Sequence, residues 1–195
     1  GGASLQFLMV PLNLMKKDGG KAAYINTGTW ATKAIKEVKK MGNVIVVGDS
    51  SDKNFSYIPK KYEIPIDVNY FHCTSNNTIF GTQIKSFPET NCLVCDMSSD
   101  IFSRRIDVRK FDLIYAGAQK NIGPAGTTLV IVKDKILGKT GRNIPTILDY
   151  TTHIKKDSMF NTPPVFAIYV SMLTLQWLKN NGGIDWIEEL NNNKA

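Results

Sequence analysis

The chain has 195 residues, of which 43% are hydrophobic and 21% charged, a composition that excludes a disordered or fibrous protein and suits one globular domain. No apolar run reaches the roughly 18 residues of a membrane-spanning helix, and the first residues lack the plan of a signal peptide, so we expect a cytoplasmic protein. The net charge of +7 comes from dispersed pairs of basic residues, which argues against a nucleic-acid-binding surface.

Helical and strand-like apolar patterns alternate along the chain. The first part of the chain predicts a helix over 5–15 that Pro11 interrupts, a strand over 21–25, a helix over 28–41 and a strand over 43–47. A loop over 49–62 follows. The rest predicts four strands, over 67–71, 92–95, 113–116 and 127–132, and then two helices, over 166–179 and 184–193. Short apolar strands that alternate with helices predict an α/β fold in three layers, with a mainly parallel sheet flanked by helices. Ligands of such sheets bind where loops leave the carboxyl ends of the strands.

The cysteines raise the question of a metal site. Three cysteines are an odd number, which argues against a disulfide framework. Cys92 and Cys95 form a C-x-x-C motif with His72 and Cys73 upstream, as in some zinc sites. The segment 91–96 also has the pattern of a buried strand, in which side chains three positions apart face opposite ways. We therefore predict no metal site, with Cys92 and Cys95 on opposite faces of a sheet.

A lysine at the end of a strand is the first candidate catalytic residue. Lys120 comes shortly after the apolar run at 111–116, and the turn sequence Gly-Pro-Ala-Gly follows it at 123–126. An amine in that position, when removed from water, can attack an aldehyde. A solvated lysine in a surface loop fits the same spacing, and the spacing alone favours that interpretation.

Five segments together resemble the phosphoserine aminotransferase family, class V enzymes of fold type I that use pyridoxal phosphate (PLP). The segments are GGASLQFLMVPLNL at 1–14, TGTWATKAIKEVKK at 27–40, SNNTIFGT at 75–82, AGAQKNIGPAG at 116–126 and MFNTPP at 159–164. The resemblance covers essentially the whole chain and implies that 1–195 is a PLP-binding large domain. Members of the family are longer, so we expect the N-terminal segment and the C-terminal small domain, with the substrate-binding arginines, to be missing here and this chain alone to have little activity.

The resemblance assigns the catalytic role to Lys120. Its amine would form the internal aldimine with PLP and, once displaced by substrate, would carry a proton between substrate and cofactor. We expect this lysine to be buried beside the cofactor.

Asp96 and Trp30 would hold the cofactor ring. Asp96 follows the predicted strand 92–95, and the resemblance implies that it pairs with the pyridine nitrogen and keeps it protonated. An ordinary turn or helix cap before Ser98 is the alternative. Trp30 would stack on the pyridine ring, although its spacing also suits a core residue on the buried face of a helix.

Four residues of this chain would bind the PLP phosphate or lie near it. Ala3 and Ser4 would offer backbone N–H groups at a helix N-terminus, although many members of the family have Gly-Arg at these two positions, so a charge is lost here. Gln119 would add a side-chain amide. Thr78 would bond near the phenolic oxygen and phosphate, unless it only forms a turn.

Asn161 and Thr162 would complete the phosphate site of the neighbouring subunit. The resemblance thus implies a homodimer in which each PLP contacts two chains. The sequence Asn-Thr-Pro-Pro also suits a simple cap for the helix that follows, and the two roles are compatible.

The activity implied by the resemblance is transfer of an amino group between glutamate and 3-phosphohydroxypyruvate, giving phosphoserine and 2-oxoglutarate in serine biosynthesis. The same family handles a phosphorylated hydroxythreonine in vitamin B6 synthesis. One alternative is another fold-type I PLP enzyme, such as an alanine–glyoxylate-type aminotransferase or a cysteine desulfurase. A non-catalytic α/β binding domain with a basic surface is the other.

Overall fold

The computed structural model describes residues 2–194. Its helices are α1 (Gln6–Leu14), α2 (Thr29–Val38), α3 (Tyr150–Lys155), α4 (Val165–Asn180) and α5 (Gly183–Lys194). Its strands are β1 (Lys21–Asn26), β2 (Asn43–Asp49), β3 (Tyr70–Thr74), β4 (Asn76–Asn77), β5 (Thr82–Gln83), β6 (Leu93–Asp96), β7 (Leu113–Gly117) and β8 (Thr128–Val132). A 3₁₀ turn, Ala3–Leu5, leads directly into α1.

Six strands form one sheet in the order β2-β1-β3-β6-β7-β8, and β4 pairs with β5 in a separate hairpin. Neighbouring strands of the large sheet run parallel, except that β8 is antiparallel to β7. The connection from β7 to β8 contains no crossover helix, so the chain returns alongside β7 in the opposite direction. The predicted mainly parallel sheet with flanking helices is confirmed, and the carboxyl ends of its parallel strands meet at one edge.

The central strands are buried on both faces. One face packs against α1 and α2 through a cluster that includes Tyr24 and Val94. The opposite face contributes Ile25 and Leu93 to a second cluster. Successive side chains of a strand point to opposite faces, so a strand covered on both sides needs an unbroken apolar run. That requirement explains why the strands could be recognised from their sequence.

The cysteines follow the same alternation. Cys92 belongs to the cluster under α1, whereas Cys73 and Cys95 belong to the cluster on the other face, with their sulfur atoms 3.6 Å apart. The prediction that Cys92 and Cys95 face opposite ways is confirmed. Among residues 2–194, no three side chains of the metal-binding types come together as a cluster.

Some predicted boundaries are wrong because long-range contacts decide them. Strand β3 begins at Tyr70 rather than at 67, since the side chain of Asn69 accepts a hydrogen bond from the backbone N–H of Lys21 at 3.0 Å. The β4–β5 hairpin and helix α3 were not expected from the sequence. The predicted interruption at Pro11 is also wrong, because α1 continues through it and ends where the Met15 N–H bonds to the Pro11 carbonyl at 3.0 Å.

Helix α4 buries only two side chains, Ala167 and Ser171. Large apolar side chains are exposed along the rest of it: Val165, Phe166, Ile168, Tyr169, Met172, Leu173 and Trp177. Within the described part of the chain, no helix is both long enough and apolar enough to cross a membrane. An exposed apolar face of this size is typical of a surface that contacts other protein.

One arginine ties three segments of the fold together. Arg142 donates from Nε to the Met15 carbonyl at 2.9 Å, and from Nη2 to the carbonyls of Lys16 at 3.1 Å and Met41 at 3.0 Å. These carbonyls lie just beyond the ends of α1 and α2, where helices leave acceptors without partners. The guanidinium therefore joins the ends of both helices to the segment after β8.

We expect Arg142→Gln to lower the free energy of unfolding by about 2 kcal/mol, because hydrogen bonds from a charged donor are among the stronger ones in proteins. Chemical denaturation of the full-length protein would measure the change. Arg109→Gln is the matched control, since that side chain is 90% exposed and forms its ion pair with the nearby Asp107 at the surface. Equal effects of the two substitutions would contradict the prediction.

Candidate active site

The candidate site lies at the edge where the parallel strands end. Asp96 is the last residue of β6, Gly117 is the last residue of β7, and the turn that carries Lys120 follows β7 directly. The 3₁₀ turn before α1 packs on the same edge, since a Cβ on Gly117 would lie 3.1 Å from that of Ala3. The fold thus brings the start of the chain next to residues more than a hundred positions away.

Asp96 is 5% exposed and is held by its own turn. Its Oδ1 accepts hydrogen bonds from the Ser98 N–H at 2.9 Å and from the Ser98 hydroxyl at 2.6 Å. Burial raises the pKa of the Asp96 carboxyl above its usual value, and hydrogen bonds from Ser98 and from the Tyr115 hydroxyl partly offset that rise. The carboxylate therefore does cap a turn, as the alternative interpretation had it, but it is also a buried acid at the ligand edge of the sheet.

Gly117 leaves room for two neighbours and bonds to a third through its backbone. Its N–H donates to the Ser98 hydroxyl at 3.1 Å. A Cβ here would collide with Oε1 of Gln119, whose side chain folds back over the strand end. The absence of a side chain thus lets Ala3 and Gln119 approach the strand end, where Ser98 is bonded to the backbone N–H.

Lys120 has an exposed side chain in this chain, so the expected burial is not found. Its turn is closed by a hydrogen bond from the Gly123 N–H to the Ala118 carbonyl at 2.9 Å. The side chain of Asn121 donates to the Ile101 carbonyl at 3.0 Å and fixes the turn to the neighbouring loop. The lysine is thus presented from a braced loop toward solvent.

Trp30 lies in the first turn of α2 and is 39% exposed. The interpretation of this indole as a core residue is therefore wrong, and its ring is available to a ligand. The ammonium of Lys33, one turn along the helix, lies 4.4 Å from the ring centroid. That contact occupies part of the indole surface by a cation–π interaction.

Thr78 is exposed in the turn between β4 and β5. Its neighbour Asn77 is buried, accepts from the Thr27 hydroxyl at 3.4 Å and donates to the Thr82 hydroxyl at 3.1 Å. A Cβ on Gly28, which precedes α2, would lie 2.8 Å from Oδ1 of Asn77. The hairpin thus packs on the start of α2 and brings Thr78 to the same region as Trp30.

Ser4 lies in the 3₁₀ turn and is exposed, with its backbone at the N-terminal end of α1. Asn161 and Thr162 are exposed in the segment before α4, and the Asn161 amide donates only to the Thr162 carbonyl, at 3.2 Å. Across residues 2–194, neither of these two residues is hydrogen-bonded to a predicted site residue outside this pair. The contacts thus join Ala3, Asp96 and Gln119 around Gly117 and Ser98, and place Thr78 on the hairpin that packs on the start of α2.

Ser98 and Gly117 were missed by the sequence analysis. Ser98 follows Asp96 by two positions, which is the spacing of a turn closed by an Asp side chain, so a signal was present. Nothing local marks Gly117 as a close-approach position, because Ala3 comes from a distant segment and Gln119 reaches the glycine only by folding back over the strand end. Two buried atoms near Asp96, Nδ1 of His72 and Oγ1 of Thr74, have no hydrogen-bond partner among the described residues.

The sheet and its edge define an α/β protein whose candidate ligand site lies outside the carboxyl ends of parallel strands, close to a buried acid and an exposed lysine. The profile of a family described as aminotransferase class V matches residues 1–195. The chain belongs to the class-V aminotransferase family.

Relatives and solved structures agree with that membership. A phosphoserine aminotransferase of Flavobacterium psychrophilum is 71% identical over 196 residues, which cover 100% of this chain and 55% of the relative. The structure of a phosphoserine aminotransferase from Bacillus circulans subsp. alkalophilus, 44% identical, superposes with a TM-score of 0.95 over 100% of this chain and 55% of that one. A PLP-bound phosphoserine aminotransferase from Trichomonas vaginalis, 35% identical, gives 0.91 over 100% and 56%. The chain spans about half the length of the curated relatives it matches.

The raised pKa of Asp96 has a consequence for stability. The folded chain holds the carboxyl proton more tightly than the unfolded chain, so this group favours the folded state below the ordinary carboxyl pKa of 3.8 and loses that contribution as the pH rises through the folded-state pKa. We expect Asp96→Asn, which keeps an oxygen acceptor for Ser98, to raise the unfolding temperature of the ligand-free protein at neutral pH and to change it little in acid.

Thermal unfolding followed by circular dichroism over a pH series measures this effect. Asp18→Asn serves as the control, because Asp18 is exposed and its loss removes the same charge without a change in buried groups. A lower unfolding temperature of Asp96→Asn at neutral pH would show that the ionised carboxylate stabilises the fold.

Proposed function

We propose that the protein containing this chain is a PLP-dependent phosphoserine aminotransferase. It transfers an amino group between glutamate and 3-phosphohydroxypyruvate, giving phosphoserine and 2-oxoglutarate in serine biosynthesis, and the related phosphorylated hydroxythreonine of vitamin B6 synthesis is its second candidate substrate. The observation that carries the proposal is the meeting of the buried Asp96, the Lys120 turn and the N-terminal turn of α1 at one sheet edge. Identity of 71% over the whole chain to a relative of that name supports it.

The residues present fit PLP. A phosphate group suits the N-terminal end of α1, where the backbone N–H groups of Ala3 and Ser4 lie next to the space left by Gly117. Asp96 could pair with the pyridine nitrogen through Oδ2, because Ser98 donates its two hydrogen bonds to Oδ1. PLP, when bound, supplies the electron sink that transfer of an amino group requires.

The chain's own residues divide the remaining tasks. Lys120 Nζ would hold the aldehyde end of the cofactor and would carry the proton that leaves the substrate Cα. Asp96 would keep a proton on the ring nitrogen, and Trp30 would offer its indole to the ring. Gln119 and Thr78 add donors around the phosphate and the phenolic oxygen.

We also propose that residues 1–195 are the cofactor-binding large domain of a longer protein and that the remaining length supplies the arginines that bind substrate. In this proposal the protein is a homodimer, and Asn161 and Thr162 reach the phosphate site of the partner subunit. The exposed apolar face of α4, directly after these two residues, supports a protein contact there. The exposure of Lys120 and Trp30 supports a site that a second chain completes.

The state of the three cysteines argues against a cysteine desulfurase and is relevant to the cellular compartment of the protein. All three are free and buried, and burial raises the pKa of Cys92 to about 12. A desulfurase needs a reactive, accessible thiolate, which none of these cysteines provides. Cys73 and Cys95 as neighbouring free thiols are compatible with a reducing compartment, and we place the protein in the cytoplasm.

The cofactor proposal is tested on the full-length protein with Lys120→Ala. We expect the wild type with PLP to show a visible absorption band that borohydride traps as a covalent adduct on Lys120, and the variant to lack both, with transaminase activity lower by about 10³-fold. Lys139→Ala, at an exposed lysine outside the site, is the control and should behave as the wild type. A wild type without a band would contradict the proposed function.

The shared site is tested by mixing two inactive variants, Lys120→Ala and the double variant Asn161→Ala with Thr162→Val. If each site takes the lysine from one chain and the amide and hydroxyl from the other, a mixed dimer contains one intact site. We expect mixing to restore about a quarter of the wild-type activity, since half of the dimers are mixed and each has one working site of two. Absence of any recovery in dimers shown by mass spectrometry to be mixed would place all these groups in one subunit.

A further inference from the structure

A hydrogen-bonded pair of side chains, Tyr115 and His72, lies next to Asp96 on the face of the sheet that packs against α1. Tyr115 on β7 is the register neighbour of Asp96 on β6, and its hydroxyl lies 2.9 Å from Nε2 of His72 on β3. The two strands that flank β6 therefore contact each other across it through these side chains. Tyr115 is fully buried and His72 is 1% exposed.

The state of His72 decides what the tyrosine hydroxyl can do. Burial lowers the pKa of His72 to about 3, so the ring is neutral and has a single N–H. Nδ1 has no hydrogen-bond partner among the described residues. A proton on Nδ1 would leave a buried donor unsatisfied, whereas a proton on Nε2 is donated to the oxygen of Tyr115. We assign the proton to Nε2 on that ground.

With its oxygen already accepting from His72, Tyr115 has its own proton to donate elsewhere. The register places the carboxylate of Asp96 beside Tyr115 on the adjacent strand, and the Tyr115 hydroxyl lowers the pKa of that carboxyl. With the imidazole proton on Nε2, donation runs from His72 to Tyr115, which leaves the tyrosine proton for the carboxylate. The ring of Tyr24 is stacked on His72 with centroids 4.6 Å apart and holds the imidazole in place.

We propose that Tyr115, oriented by His72, is a positioning residue whose hydroxyl keeps Asp96 ionised beneath the ring nitrogen of the cofactor. The proposal rests on the proposed function, because it assigns a role toward bound PLP. It adds a third donor to the two that Ser98 supplies, and this donor comes from a different strand.

The other groups that face Asp96 do not replace this donor. From its own loop, the carboxylate of Asp100 raises the pKa of Asp96. From β3, the register neighbour is Thr74, whose hydroxyl has no partner among residues 2–194. From α1, the apolar ring of Phe7 lies against Tyr115 with centroids 6.5 Å apart. The Tyr115 hydroxyl is therefore the contribution from the sheet that favours the charged carboxylate.

The test uses the full-length protein loaded with PLP labelled with nitrogen-15 in the ring. Asp96 and the ring nitrogen share one proton, so removal of a donor to the carboxylate moves that proton from the ring toward Asp96. We expect Tyr115→Phe to lower the ratio of protonated to unprotonated ring nitrogen, read from the nitrogen-15 chemical shift, by roughly tenfold or more. Tyr70→Phe is the matched control, because Tyr70 is equally buried on β3 and its hydroxyl bonds to that of Tyr24 at 2.9 Å.

A second variant and a second measurement guard against a folding defect. His72→Phe leaves Tyr115 in place but removes its orienting donor, and we expect a smaller shift in the same direction. In the PLP-free protein, the carboxyl carbon-13 resonance of Asp96 should titrate at a higher pH in Tyr115→Phe than in the wild type. Equal ring-nitrogen ratios and equal Asp96 titrations in wild type and Tyr115→Phe would overturn the role of Tyr115 and leave the proposed function intact. A wild type that binds no PLP would overturn both.

Discussion

The candidate site depends on one constraint, the burial of a carboxylate at the end of a central strand. Asp96 is 5% exposed, and a charge in that position is costly unless hydrogen bonds replace the water that it loses. Ser98 supplies two of these bonds from the turn after β6, and Tyr115 lies on the strand alongside. The carboxylate is therefore tied both to its own loop and to the sheet, which gives it a defined position for a ligand.

The same turn organises the surroundings of the carboxylate. The Ser98 hydroxyl that donates to Asp96 also accepts from the Gly117 N–H, so the ends of β6 and β7 are joined. Since Gly117 lacks a side chain, Gln119 and the N-terminal turn at Ala3 approach the same place. The buried acid and the backbone N–H groups at the start of α1 are thus held at fixed positions relative to each other, as the binding of one rigid ligand requires.

Most of the remaining predicted site residues are exposed, in contrast to Asp96. Lys120 and Trp30 face solvent, and Asn161 and Thr162 lie apart from the residues they are proposed to assist. The apolar face of α4 is exposed as well, although its sequence is that of a buried helix. The proposed homodimer would account for both facts, because a second chain would cover α4 and complete the site at the same time.

Much of the fold follows from local patterns. The central strands are continuous apolar runs because both of their faces are covered, and α2 shows a helical period because one of its faces is buried. The β4–β5 hairpin, α3 and the start of β3 could not be predicted, because they depend on partners such as Asn69 with Lys21 and Asn77 with Thr27. The hairpin strands are polar and only two residues long, and α3, with six residues, is too short to show a helical period.

The candidate site, like the fold, depends partly on local sequence and partly on long-range contacts. The amino-acid sequence by itself determined the sheet, the lysine turn and the identity of the candidate residues, because each is encoded in a short contiguous segment with its own pattern or motif. Only the tertiary structure decided that Trp30 is exposed rather than in the core, that Gly117 is a point of close approach, and that Tyr115 and His72 lie together beneath Asp96. Those facts depend on strand order and register, which bring together residues far apart in the chain, and no local pattern records that pairing.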